Sequence, residues 1–181
     1  MDEEKGRAAF EGYGISEFPE GDAVARVPGL MAVARKLMQK DGAHATMAMC
    51  FKGDAIVSIQ GMEFPDQRTK MLSFERLADL VESHRADGVL IIGETWMGSP
   101  TEIEKKIGTI LLPPRDRVDK REALTVYAMT RDGRQANLVC FVERTPTGET
   151  ICGEPFDLDA GAANTLLPIK RKWKAMGERG I

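Results

Sequence analysis

The sequence predicts a single α+β domain in which two main helices pack on a mixed sheet of five or six strands. Three observations carry this expectation. The stretch from Gly88 to Met97, GVLIIGETWM, is a long apolar run that follows an amphipathic helical pattern, and it reads as a buried central strand. Two strand patterns, Ala123 to Thr130 and Gln135 to Glu143, flank a turn signal at Asp132 and Gly133. A chain of 181 residues is long enough for one sizeable core and short for two ordinary domains. The organisation that follows is an acidic arm over residues 1–21, the α+β domain over 22–155 and a basic C-terminal tail over 156–181.

Residues 1–21 hold four glycines among acidic residues without a sustained period, the pattern of a loosely docked arm. From Pro28 to Lys40, Leu30, Val33, Ala34 and Leu37 recur at helical spacing, with Pro28 suited to the first turn and Gly42 to the stop. Met47, Met49 and Phe51 then alternate with Thr46, Ala48 and Cys50, and Ala55, Val57 and Ile59 resume the alternation beyond Gly53 and Asp54, which suggests a hairpin. After a loop over Gly61 to Gln67, a second helix is predicted over Arg68 to Arg85, with Met71, Phe74, Leu77, Ala78 and Val81 on one face and Asp87 and Gly88 ending it. A strand-helix-strand crossover of this size is expected to set its two strands parallel, hence the mixed sheet.

Beyond the central strand, Ser99, Pro100, Thr101 and Glu102 fit a capped short helix over about 100–107, closed by Gly108 and by Pro113 and Pro114. The charged run from Arg115 to Glu122 reads as a solvated loop. In the hairpin that follows, a two-residue turn at Asp132 and Gly133 would place Tyr127 opposite Leu138 and Thr125 opposite Cys140. Both faces of that hairpin are mostly apolar and should be covered. A last short strand is expected near Thr150 to Gly153, and a helical turn near Ala160 to Leu167.

Composition narrows the function classes. Hydrophobic residues make up 43% and charged residues 29% of the chain, and no apolar run approaches the roughly 18 residues a membrane helix needs. The acidic start, MDEEKGR, is not followed by an apolar segment of the secretory kind, so the expected address is the cytoplasm. Cys50, Cys140 and Cys152 are odd in number and widely spaced, which argues for reduced, buried side chains rather than a disulfide framework or a metal clip. His44 and His84 are the only histidines, and neither HExxH nor HxH occurs, so no metal is expected. The GxGxxG, Walker and GxSxG signatures are absent as well, and no cofactor is expected.

The candidate binding residues are Glu94, Trp96 and Ser99. Ligand sites in sheets with crossover helices gather beyond the carboxyl ends of the strands, which is where these three fall. Glu94 shares a strand face with Leu90, Ile92 and Trp96, and a carboxylate buried there needs a partner. The simpler reading is a Glu paired with an Arg and a Trp capping the core; the functional one is a binding edge, or a general base in a hydrolase-type enzyme. The tail offers a second candidate surface in Lys170, Arg171, Lys172, Trp173 and Lys174. Phosphate neutralisation and aromatic stacking use such residues, but the net charge of −3 disfavours nucleic acid and favours docking on an acidic protein partner. The acidic N-terminal arm of a neighbour would serve, making the chain a homo-oligomer.

Two resemblances rest on these residues. The crossover helix, the apolar strand ending in Glu94, Thr95, Trp96 and Met97, and the later Arg121, Glu122, Ala123 and Leu124 entering a hairpin resemble an uncharacterised bacterial protein family over about residues 25–155, which implies no activity. The order of hairpin, crossover helix and strand running into Ser99 and Pro100 is similar to that of JAB/MPN domains, which are zinc isopeptidases or their metal-free relatives. Those enzymes carry His-x-His where this chain has Glu94, Thr95 and Trp96, so this resemblance implies a non-catalytic module. The function expected is therefore a non-catalytic intracellular binding or assembly domain, with an enzyme using Glu94 as base, or nucleic-acid contact through the basic tail, as alternatives.

Overall fold

The computed structural model describes residues 12–15, 17–64, 66–108, 111–158 and 166–180. Residues 1–11 of the expected arm and 160–165 of the expected helical turn lie outside the described residues. Helix α1 spans Val27–Asp41, opened by Pro28 and closed by Gly42, whose left-handed φ of 73° lets its N–H reach the Met38 carbonyl. Ahead of it Asp22 accepts the Val24 and Ala25 N–H groups, and the buried Arg26 guanidinium bonds the Gly21 and Asp54 carbonyls. The entry to α1 is thereby tied to the first hairpin, β1 (Met47–Lys52) and β2 (Ala55–Gly61). The described part of the arm lies on α1, where Tyr13 donates to Asp41 and Lys36 to the Gly14 carbonyl.

Helix α2 spans Gln67–His84, capped by the Asp66 side chain on the Thr69 N–H at 2.7 Å. It ends on Arg85, at a left-handed φ of 51°, with Ala86 N–H bonded to the Val81 carbonyl. Gly88, expected to stop the helix, serves packing instead: a Cβ there would stand 3.0 Å from that of Ala23 and 3.3 Å from that of Phe51. The central strand β3 is Gly88–Met97, as the apolar run predicts. A short helix α3 (Glu102–Ile107) and a 3-10 turn (Pro114–Asp116) lead to β4 (Arg121–Thr130) and β5 (Gln135–Arg144), followed by β6 (Thr150–Cys152), β7 (Phe156–Asp157) and helix α4 (Leu167–Glu178).

The seven strands form one sheet in the order β2-β1-β3-β4-β5-β6, with β7 also against β5. Every described ladder is antiparallel, which corrects the mixed sheet. The crossover through α2 does bring β2 and β3 into the same direction, but β1 folds back between them and pairs with both. The β4–β5 hairpin also differs from expectation by one residue of register, with Tyr127 opposite Asn137 and Thr125 opposite Val139. Its loop takes in Arg131 as well as Asp132 and Gly133, because Thr130 N–H closes onto the Arg134 carbonyl and Asp132 binds both the Thr130 hydroxyl and the Arg134 guanidinium.

Helices cover both faces of the sheet. On one, α1 sets Leu30, Met31, Ala34 and Met38 against Met49, Phe51, Leu90, Ile92, Leu124 and Val126. On the other, Phe74, Leu77 and Val81 of α2 and Ile169, Trp173 and Met176 of α4 close over Ala48, Cys50, Val89 and Met129. The three cysteines are buried and unbridged, and burial pushes the Cys50 thiol up to about 11.

The basic tail is thus a third long helix rather than a solvated segment, and Trp173 is its anchor, donating its indole N–H to the Ala86 carbonyl at 2.8 Å. Lys172 bridges Asp79 and Glu82 of α2 at 2.9 and 2.6 Å. Trp173→Ala is expected to destabilise the fold by about 3–5 kcal/mol through the cavity it leaves, measured by urea unfolding followed by circular dichroism. A loss below about 1 kcal/mol would mean that α4 does not support the core.

Candidate functional site

Glu94 and Trp96 lie on the half of β3 that pairs with β4 alone and Ser99 just beyond it, and each is held differently. Gly93 sets the local geometry, since a Cβ there would stand 2.4 Å from the Thr46 hydroxyl oxygen and 2.8 Å from the Thr46 Cα. Only glycine lets the lead-in to β1 press this closely on β3. The half-buried Glu94 carboxylate then accepts the His44 backbone N–H, so a main-chain donor rather than the expected arginine offsets its burial. Arg144 stands within electrostatic reach of Glu94, but its guanidinium is bonded to Glu122 at 2.6 and 3.0 Å and to the Gly42 carbonyl at 2.7 Å. The His44 ring is buried, and desolvation holds it below the ordinary histidine range against the opposing pull of the Ala45 carbonyl and Glu94.

Trp96 is 43% exposed, with the Lys120 ammonium 5.2 Å above its ring. Ser99 is exposed, and its backbone is fixed at both ends: its N–H donates to Asp119 at 2.9 Å and its carbonyl accepts from Arg117 at 2.7 Å. The sequence gives no hint of these two partners, because both fall in the run expected to be a solvated loop.

That run is held by a buried ion pair. Glu104 and Arg117 bond directly, with side chains 1% and 4% exposed. The same Glu104 carboxylate accepts the backbone N–H groups of Thr101, Leu111 and Leu112 at 2.7, 2.8 and 3.1 Å. Thr101 and Glu104 form the capping box of α3, two residues beyond the cap expected from the sequence. Gly98 makes room for the arginine, since a Cβ there would stand 2.6 Å from Arg117 Cδ. The Arg117 guanidinium and the converging N–H groups hold the Glu104 carboxyl well below the usual carboxylate range.

The result is a helix turned inside out. The buried residue of α3 is the charged Glu104, while Ile103 and Ile107 are 64% and 54% exposed. Leu111, Leu112 and Val118 are exposed on the same excursion between β3 and β4. On the sheet face carrying α2 and α4, a cleft of about 300 Å³ lies beside this excursion, with Phe74, Ile91, Trp96, Met97 and Tyr127 among its walls. Burial raises the Tyr127 phenol above its ordinary value. Glu94 does not line this cleft.

Of the basic-tail residues, Lys170, Trp173 and Lys174 line one cleft beside the β4–β5 turn. Trp173 and Lys172 are used within the fold, whereas Lys170, Arg171 and Lys174 are exposed on α4. Among the described residues no group of three His, Cys, Asp or Glu side chains gathers as a metal site, and no helix is long and apolar enough to cross a membrane.

Fold and site together define an antiparallel α+β domain, roofed by helices on both faces, that presents two exposed isoleucines of a short helix on a clasped loop. Residues 2–179 match the model of the family described as bacteriophage lambda protein ea47, and the chain belongs to that family. Neither a curated protein nor a solved structure matches it. The resemblance to an uncharacterised family holds in this form, as a phage-associated one, and the likeness to JAB/MPN domains finds no match.

Because the Glu104 carboxyl titrates lower in the folded chain than in the unfolded one, its stabilisation is complete above the unfolded value near about pH 4.3 and is lost as the pH falls through the folded one. Arg117→Met removes the cation and leaves the carboxylate buried. The Leu111 and Leu112 amides are expected to exchange at least about tenfold faster in that variant at neutral pH, and the wild type to lose the same protection only in acid. Unchanged exchange in Arg117→Met would show that the loop is held by something else.

Proposed function

We propose that the chain is a non-catalytic intracellular binding domain whose docking surface is α3 and the loop after it, and whose partner is another protein. The observation that carries this reading is the inverted α3. A surface helix normally buries its apolar side, and one that buries a glutamate and shows two isoleucines has its apolar side reserved for something outside the domain. The Glu104–Arg117 clasp holds that surface in place before a partner arrives, which lowers the ordering cost of association. Exposed Trp96 and the leucines at 111 and 112 add the aromatic and aliphatic area from which interface centres are built.

The engagement of Glu94 by a backbone N–H supports a structural role for it over that of a general base. The internal use of Trp173 and Lys172 likewise removes the aromatic and one cation from a nucleic-acid surface on the tail.

A photo-crosslinking residue placed at 103 or 107 in the chain expressed in a bacterial host is expected to give a discrete protein adduct, and one at the exposed position 52 none. Ile103→Glu with Ile107→Glu should unfold within about 0.5 kcal/mol of the wild type, both side chains being on the surface, and should abolish an adduct formed from position 96. Identical adducts from 52 and 107, or none from 103 and 107, would overturn the reading.

A further inference from the structure

The two margins of the sheet are built differently. At one, the outer side of β5 meets β6, of three residues, and β7, of two, so that no long run of free backbone is left. Short, interrupted margins are a common way of preventing strand addition. At the other, β2 runs for seven residues, Ala55 to Gly61, and pairs only with β1. Among the described residues, no hydrogen bond reaches its outward backbone. The sequence AIVSIQG has no charged residue and no proline, the two residue classes that most often guard an open margin. A register break near Val57 leaves Ser58 to Gly61 as the regular half, and there Ile59 is 58% exposed on a face where it neighbours Met49.

We infer that β2 pairs with β2 of a second copy of this chain, antiparallel about a two-fold axis near Ile59, so that two sheets join into one. The outward amides and carbonyls, otherwise left to water, are matched by an extended backbone, which offers donors and acceptors at the ladder spacing. A two-fold axis at Ile59 sets that side chain opposite its own counterpart and Ser58 opposite Gln60 of the second copy, so no charge enters the central part of the new ladder. The same axis brings the two Ile59 side chains together and covers the largest exposed apolar group on the strand. This surface is separate from α3, and the inference does not rest on the docking role given to that helix.

Light scattering during gel filtration at about 100 µM is the test, with a mass near twice 19.9 kDa expected for the wild type. Ile59→Lys, a substitution at an exposed position, should give the monomer mass with unchanged circular dichroism, and so should Ile59→Glu. Mixing those two variants should restore the doubled mass, because the axis pairs lysine with glutamate. Ile103→Glu with Ile107→Glu should leave the dimer intact. A monomeric wild type, a dimer that survives Ile59→Lys, an equimolar mixture that stays monomeric, or a dimer lost in the α3 variant would each overturn the inference.

Discussion

Burial of β3 on both faces is the constraint from which the architecture follows. A strand that turns Leu90 and Ile92 one way and Val89 and Ile91 the other cannot leave either side to water, so the sheet must be roofed twice. The antiparallel neighbours β1 and β4 close its backbone on both margins, and helices take the two faces. One roof is the single helix α1. The other needs two helices, because α2 runs over the β1 side and leaves Met129 for α4 to cover.

The loop between β3 and β4 obeys a second, local constraint. Glu104 is buried, so its four bonding partners must converge on it, and three of them are backbone groups that would otherwise have no reason to meet. With Glu104 as the one buried residue of α3, Ile103 and Ile107 stand outside beside the charged Glu102, Lys105 and Lys106. The buried charge thus orients α3, and the exposure of its isoleucines goes with that orientation.

Much of the fold was legible because it follows periodic patterns. The helices α1 and α2, the first hairpin, β3 and the β4–β5 pair all lie where apolar spacing places them. What periodicity does not encode is which strand sits beside which, and so the insertion of β1 between β2 and β3 turned an expected mixed sheet into an antiparallel one. The hairpin register was misread because Thr130 and Asp132 favour a three-residue loop through side-chain bonds that a turn dipeptide does not reveal. Arg117 was hidden in a charged run, where one buried arginine looks like its solvated neighbours, and the tail looked solvated because its cations, Lys170, Arg171, Lys172, Lys174 and Arg179, outnumber the apolar positions Ile169, Trp173 and Met176 that form its buried stripe. At the site, the position of Glu94, Trp96 and Ser99 was readable from the end of the strand, whereas their partners His44, Lys120 and Asp119 are distant in sequence.

The placement of α4 after every strand bears on how the chain matures. Synthesis releases residues from the N-terminal end, so Trp173 leaves the ribosome after the strands it will cover. During that interval Val89 and Met129 lack the cover of α4, and a strip of oily surface is left open. Nascent domains in this condition are natural clients for chaperones, and the docking of α4 brings that vulnerability to an end.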